Sequence, residues 1–371
     1  MTTLAIRGGR VIDPANGTDA VSDVLIREGL VAAIGANGQS EAANVVDASG
    51  LVVAPGFVDL HAHLREPGFE HKETIATGTL AAAQGGFTTV CAMPNTEPPI
   101  DSAAAVEFVV RTALVQGIVR VLPIACVSRG RLGLELSEMA ELARAGAVAF
   151  SDDGSPVADA HLMRRALEYA GMLGPSTAAG AALRTGLPVI DHCEEPALSA
   201  GGVMHEGWVS ARLGLEGVPA AAEETMVARD IALARETASH VHIAHVSTAG
   251  SLKLLREARA RGVPVTAEVT PHHLTLTHSA VINGQGEVIG GLAYDTDAKV
   301  NPPLRTAEDV QACRVALEYG TVDCIATDHA PHAVQDKLCE FDRAAFGISG
   351  LETAFGLCMS LVQAGLALPL L

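Results

Sequence analysis

Val58-Asp59-Leu60-His61-Ala62-His63-Leu64-Arg65-Glu66-Pro67-Gly68 decides how this chain reads. Leu51, Val52, Val53, Phe57 and Val58 lead into it as one apolar run, the pattern of a parallel strand covered on both faces. Side chains two apart on a strand leave by the same face. His61 and His63 can therefore converge on one metal ion. Arg65, two residues on, leaves the same strand end with a charge suited to a carboxylate. A lone His-x-His is weak evidence, because histidines also occupy ordinary loops; its weight comes from the polar residues at the ends of the later apolar runs.

Beyond this run, apolar β-type stretches alternate with helical ones. The β-type runs are 51–60, 87–93, 119–125, 147–150, 187–191, 241–245, 263–269 and 322–327. Helical periodicity is clearest over 223–236 and 252–260. Eight strand-and-helix units are the count of a (β/α)8 barrel, so the fold class is α/β. A doubly wound open sheet is the competing architecture, but no Gly-x-Gly-x-x-Gly turn comes after a strand. Residues 1–50 read separately, as a small β appendage: Leu4–Arg7, Arg10–Asp13, Asp23–Ile26 and Leu30–Ile34 are short β runs, with turns at Gly8-Gly9, Asn16-Gly17 and Asn37-Gly38. The domain reading is thus an appendage over 1–50 and a barrel over 51–371.

In such a barrel, reactive groups belong at the C-terminal strand ends. The first run ends in His61, His63 and Arg65, and the second in Met93-Pro94-Asn95-Thr96. The fourth ends in Ser151-Asp152-Asp153-Gly154, the fifth in Asp191-His192-Cys193-Glu194, and the sixth in His245-Val246-Ser247. The eighth ends in Thr327-Asp328-His329-Ala330-Pro331-His332. Each alone has an ordinary explanation, Asp as a turn former or His as a satisfied core residue. Together they place His or Asp at the ligand-bearing end of five runs. Imidazoles and carboxylates in this mixture suit zinc or a similar divalent ion. An open coordination position lowers the pKa of a bound water to about 7, and a neighbouring carboxylate can carry its proton to a leaving group. The chemistry such a cluster suits is metal-assisted hydrolysis. His272 and His273 lie at the seventh strand's exit and are weaker candidates for direct contact.

Composition removes other classes. Net charge is −18 and no Lys/Arg stripe with interleaved aromatics occurs, which argues against nucleic acid as a partner. Seven scattered cysteines without a Cys-x-x-Cys unit form no disulfide framework and fit a reducing cytosol, hence a cytoplasmic protein. The N-terminus meets Arg7 too early for a signal-peptide core. Residues 353–371 carry no charge and are long enough to span a bilayer, but Gln363, two glycines and a proline interrupt them. A buried helix after the last barrel strand is the expected structure, with no membrane role.

At this point the chain resembles the amidohydrolase superfamily and, within it, class I dihydroorotases. The resemblance is carried by 59–68, Gly85-Gly86-Phe87-Thr88-Thr89, Met93-Pro94-Asn95-Thr96, Phe150-Ser151-Asp152-Asp153-Gly154, Asp191-His192-Cys193-Glu194, His242-Ile243-Ala244-His245-Val246-Ser247, Val300-Asn301-Pro302-Pro303-Leu304-Arg305 and 326–332. His-x-His is common to the superfamily. The Leu-Arg-Glu-Pro-Gly continuation, Asp-Asp-Gly and Asn-Pro-Pro-Leu-Arg are far more specific.

The resemblance implies reversible, zinc-dependent hydrolysis of dihydroorotate to N-carbamoyl-L-aspartate in pyrimidine biosynthesis, with one or two Zn2+ per chain. It implies that His61, His63 and Asp328 hold one ion and that His192 and His245 can hold a second. Asp153 would be the shared carboxylate, where related hydantoinases carry a carboxylated lysine; Asp152 is the alternative one residue away. Arg65, Asn95 and His332 would bind the substrate carboxylate, with His63 close by. Asn301 would meet the ring, Phe346-Gly347 would approach it through backbone groups, and Asp328 would be the acid/base. A homo-oligomer and association with an aspartate transcarbamoylase are the macromolecular partnerships left open. Two departures from the family pattern stand out: an apparent insertion over 174–185, and an end at Leu371 where family members continue through a further helical region and complete the β appendage. Hydantoinase or allantoinase chemistry, and a non-catalytic subunit supporting a transcarbamoylase, are the competing readings. Arg65 and the Asp153 replacement argue against the first, and the full set of histidines argues against the second.

Overall fold

The computed structural model describes residues 3–35, 44–174, 186–282 and 294–366. The chain divides at Phe57 into two compact units.

The N-terminal unit is a five-stranded sheet. Its strands are β1 (Thr3–Asp13), β2 (Thr18–Arg27), β3 (Leu30–Ile34), β4 (Asn44–Asp47) and β5 (Val52–Val53), in the order β3-β2-β1-β4, with β5 also pairing β1. Gly8-Gly9, expected as a turn between two strands, is instead a bulge within one. The β1–β2 register shifts between Ile6 and Gly9, and Gly8 adopts φ +71°, where glycine has no Cβ penalty. The Asn16-Gly17 turn closes the β1–β2 hairpin; Asn37-Gly38 lies outside the described residues. The run expected over 51–60 is two strands, because Ala54-Pro55-Gly56 interrupts it: β5 belongs to this sheet, and β6 (Phe57–Ala62) begins the second unit's strands.

The next barrel strands are β7 (Phe87–Ala92), β8 (Arg120–Pro123), β9 (Phe150–Ser151) and β10 (Val189–Asp191). An excursion then holds β11 (Met204–His205) and β12 (Gly217–Val218), a small parallel pair without a strong β signal in the sequence. The barrel resumes with β13 (Val241–Ile243), β14 (Val265–Val269) and β15 (Cys324–Ile325). Strand order is β6-β7-β8 in one sheet and β15-β14-β13-β10-β9 in the other. The bridges Ala125↔Phe150 and Ala62↔His329 join the two, so the eight parallel strands close on themselves as in a (β/α)8 barrel. Several strands are shorter than their apolar runs, since pairing stops where the chain turns out to present polar side chains.

Side chains cap the helix starts. Thr74, Ser102, Asp159, Thr248 and Thr306 cap Ile75–Gln84, Ala103–Gln116, Ala160–Ala170, Ala249–Ala260 and Ala307–Glu318, each accepting from the backbone N–H three residues on. Cys91, Met93, Ile124, Ala149, Ile190 and Ala244 pack together inside the barrel. A second cluster, including Val203, Val209, Val281, Leu304 and Phe341, packs the excursion against later segments. The helix expected near the end spans Ala354–Gln363, but only Ala354, Cys358 and Leu361 are buried in it, so the expectation of a buried helix is corrected. The insertion proposed for 174–185 falls, after Gly174, outside the described residues. Among the described residues no helix is long and apolar enough to cross a membrane.

A side chain reinforces the closure between first and last strands. Asp59 is fully buried, and its carboxylate accepts Thr327 N–H at 2.9 Å and the Thr327 hydroxyl at 2.6 Å. Asp59→Ala leaves both donors unsatisfied and is expected to cost roughly 1–3 kcal/mol or more, the desolvation penalty of buried unpaired groups. Urea unfolding should show the midpoint falling at unchanged slope.

Candidate metal centre

His61, His63, Asp153, His192, His245 and Asp328 leave five different strand ends and meet at the barrel mouth. All six are buried. Asp328 Oδ1 lies 3.1 Å from His63 Nε2 and 3.4 Å from His61 Nε2. Asp153 divides its carboxylate: Oδ2 stands 3.4 Å from both His61 Nε2 and His63 Nε2, while Oδ1 faces His245 Nε2 at 3.5 Å and His192 Nδ1 at 3.6 Å. One oxygen thus addresses each histidine pair, the disposition of a carboxylate shared between two ligand groups. Asp152, the alternative one residue away, points elsewhere. Its carboxylate accepts from Val127 N–H, Ser128 N–H and the Ser128 hydroxyl, tying the ends of two strands.

These donors fit a cation. Tetrahedral ligands about 2.0–2.1 Å from one zinc-sized ion lie about 3.3 Å apart, which is the spacing seen here. His61 Nε2 and Asp153 Oδ1 are buried without a hydrogen-bond partner, although such groups are almost always satisfied. Charge points the same way. Burial alone would lower the His61 pKa, but Asp153, Glu268 and Asp328 raise it well above its usual value. His192, also opposed by burial, is raised to about 10 by Asp153 and Glu194. Against its own burial, Asp153 is held well below the carboxylate range by His61, His192 and His245, and Asp328 is lowered by His61 and His63. Carboxylates that draw protons onto buried imidazoles mark where a cation is best accommodated.

The outer ring nitrogens are held too. His61 Nδ1 lies 2.6 Å from Glu268 Oε1. His63 Nδ1 meets Asn95 Oδ1 at 2.7 Å, and Asn301 Nδ2 stands 3.1 Å from His192 Nε2. Such partners fix ring orientation and tautomer. Asn95 and Asn301, expected against substrate, therefore also orient two histidines. Glu268 was missed by sequence reasoning. It lies inside the strand Val265–Val269, not at its end, and a single Glu in an apolar run signals only that something must pair it.

A cavity of about 200 Å³ opens over this cluster. Its walls include Arg65, Asn95, Asn301, His332, Phe346 and Gly347, besides the metal-facing groups. Arg65 donates through Nε to the Pro331 carbonyl at 3.2 Å. His332 donates through Nε2 to the Phe346 carbonyl at 2.7 Å; burial and then Arg65 lower its pKa to about 4, so the ring is neutral. Gly347 adopts φ +128°, and a Cβ there would lie 2.7 Å from the Ala330 carbonyl, so only glycine lets this segment approach. Of the two weaker candidates, His273 bonds Thr270 and the Pro302 carbonyl and is structural. His272 is buried beside it, its pKa lowered to about 4 by burial.

Comparison with known proteins gives the family. The family profile described as Dihydro-orotase-like matches residues 50–251. The chain belongs to that family. It is 57% identical to the dihydroorotase of Pelotomaculum thermopropionicum over 99% of this chain and 81% of that one. It is 54% identical to the dihydroorotase of Anaeromyxobacter dehalogenans over 98% and 79%. In fold it is similar to the L-hydantoinase (dihydropyrimidinase) from Arthrobacter aurescens, with a TM-score of 0.81 at 23% identity, covering 100% of this chain and 79% of that one. The dihydropyrimidinase from Brevibacillus agri gives 0.79 at 24% identity, covering 99% and 78%. The family places the chain among the amidohydrolases, metal-dependent enzymes that open cyclic amides.

His61→Ala or His63→Ala should strip most bound metal, since each removes a donor from the same group. Elemental analysis of the purified variants tests this; unchanged metal content in both would remove the assignment.

Proposed function

We propose that the chain is a dihydroorotase, opening the ring amide of dihydroorotate to N-carbamoyl-L-aspartate and closing it again, with zinc at His61, His63, Asp153, His192, His245 and Asp328. The observation that carries the reading is one cavity holding both Asp328 and Arg65, a proton carrier and a carboxylate partner, over the metal-binding cluster. Bound zinc would polarise the amide carbonyl and activate the attacking water.

Asp328 does the proton work. As water adds to the ring carbonyl carbon, Asp328 takes its proton; as the C–N bond breaks, Asp328 returns that proton to the departing ring nitrogen. Ring closure runs the same steps backward. His61 and His63 hold the Asp328 carboxyl below its ordinary range, so that it is ionised when water adds. Arg65 supplies a planar charged fork for the substrate carboxylate. His332 stays neutral and keeps Phe346-Gly347 against the cavity. Asn95 and Asn301 are placed both to orient their histidines and to meet substrate polar atoms from the cavity wall. The reading is tested by assaying purified protein with dihydroorotate, hydantoin and allantoin beside metal analysis; turnover of hydantoin or allantoin in preference to dihydroorotate would overturn it.

Arg65→Lys should slow dihydroorotate turnover roughly 10- to 1,000-fold, matching about 1.5–4 kcal/mol for a charged hydrogen-bonded pair. Parental rates in this variant would rule out the carboxylate contact. Asp328→Asn keeps the shape and an oxygen donor but cannot carry a proton. It should retain metal while losing at least ~100-fold in both directions, the lower end of general acid–base contributions. Initial rates of opening and closing, measured on metal-assayed protein, check this.

A further inference from the structure

On the opposite side of the barrel, where the strands begin, a second cavity of about 410 Å³ is lined by Leu60, Cys91, Ile190, His242, Thr266 and Cys324, among others. Three consecutive strands bring potential ligands together there. His242 on β13 is in register with Thr266 on β14, and Glu268 on β14 with Cys324 on β15. One donor atom from each of His242, Glu268 and Cys324 lies within 4.8 Å of the others. His242 and Glu268 are buried, while Cys324 is half-buried and reaches the cavity. Imidazole, carboxylate and thiol on adjacent strands, with open space for entry, make a donor set for a soft divalent ion.

We propose that His242, Glu268 and Cys324 form a second cation site on the barrel floor, which takes a thiol-seeking divalent ion and inhibits the enzyme from below. The coupling runs through one carboxylate. Glu268 Oε1 holds His61 Nδ1 at 2.6 Å, and its Oε2 lies 3.2 Å from His242 Nε2. A cation at Oε2 draws charge out of that carboxylate and loosens its hold on His61. Loss of such an outer partner typically costs 10–100-fold in metal affinity or activity.

The protons balance without any redox step. The Cys324 thiol gives up its proton to solvent as sulfur binds the ion. The proton on His242 Nε2 gives way to the ion and is carried on Nδ1 instead. Nδ1 then donates to Thr266 Oγ1, 2.8 Å away, which also accepts from His240 Nε2 at 2.7 Å, and the Thr266 hydroxyl proton turns away from His242. Inhibition rests on His61 being a metal ligand, as proposed above; binding at the floor rests only on the three donors.

The test is titration of the metal-loaded enzyme with Cd2+. The parent should develop the ultraviolet thiolate-to-cadmium absorption, saturating at one ion per chain, and lose at least ~10-fold in dihydroorotate turnover. Cys324→Ser should turn over normally without cadmium, show no such absorption, and keep its activity in cadmium that inhibits the parent. Cys91→Ala, altering the other thiol of this cavity, should behave as the parent. On the unmutated protein, cadmium should also protect Cys324 from a methanethiolsulfonate reagent, read by mass spectrometry, a check that survives if the serine variant fails to fold. No absorption in the parent, equal inhibition of Cys324→Ser, absorption without lost turnover, or unprotected Cys324 would each overturn the proposal. A parent that binds cadmium at Cys324 but never turns over dihydroorotate would instead overturn the function proposed above.

Discussion

Asp59 fixes the first barrel strand against the last, and the metal centre inherits its geometry from that contact. Its two hydrogen bonds to Thr327 set the residue immediately before Asp328. Four residues along, His63 N–H donates to the His329 carbonyl at 2.8 Å and continues the same seam. His61 and His63 therefore face Asp328 because the barrel closes there, and a slip of one residue would turn the His pair to the other side of the strand. Thr327 N–H and hydroxyl are both engaged by Asp59, so the seam leaves few free donors to bind in a competing register.

Closing the barrel also concentrates negative charge. Asp153, Asp328 and Glu268 are all buried around four imidazoles, and a buried charge is tolerated only when paired. The histidines alone meet this demand by drawing protons, as the raised pKa values of His61 and His192 indicate. A divalent cation meets it without protonating the ligands that must bind it. Satisfied by metal, the same network would be rigid, because Glu268, Asn95 and Asn301 already hold the far side of three rings.

The strand-end histidines and aspartates could be read from sequence because each comes directly after an apolar run, and barrel chemistry gathers at those ends. Eight runs sufficed for the architecture even though their lengths were overestimated: apolarity continues past the point where ladder pairing stops. The extent of the N-terminal sheet was hidden for a related reason. Asn44–Asp47 is only four residues long, and Val45 and Val46 are exposed, so the segment carries no alternating burial pattern. Glu268 and Asp59 were unreadable in another way. Each lies within a strand and takes its role from a residue 207 or 268 positions distant in sequence, a relation that spacing along the chain cannot express.

Three residues of the candidate site share an unusual backbone conformation, found also at Glu28, Arg131, Ala238 and Tyr294. Arg65, His245 and Asp328 adopt φ of +62°, +31° and +46°, a region that non-glycine side chains seldom occupy. Such conformations cost on the order of 1–3 kcal/mol each and persist when the surroundings over-determine them. Here they do. Arg65 is pinned to Pro331 by its own guanidinium, His245 stands between His192 and Asp153, and Asp328 comes directly after the Asp59–Thr327 seam. Glycine at these three positions would relieve the strain but would remove the side chains proposed above as charged fork, imidazole ligand and proton carrier. The barrel's stability therefore supports strain at the residues where a turned-in side chain matters most.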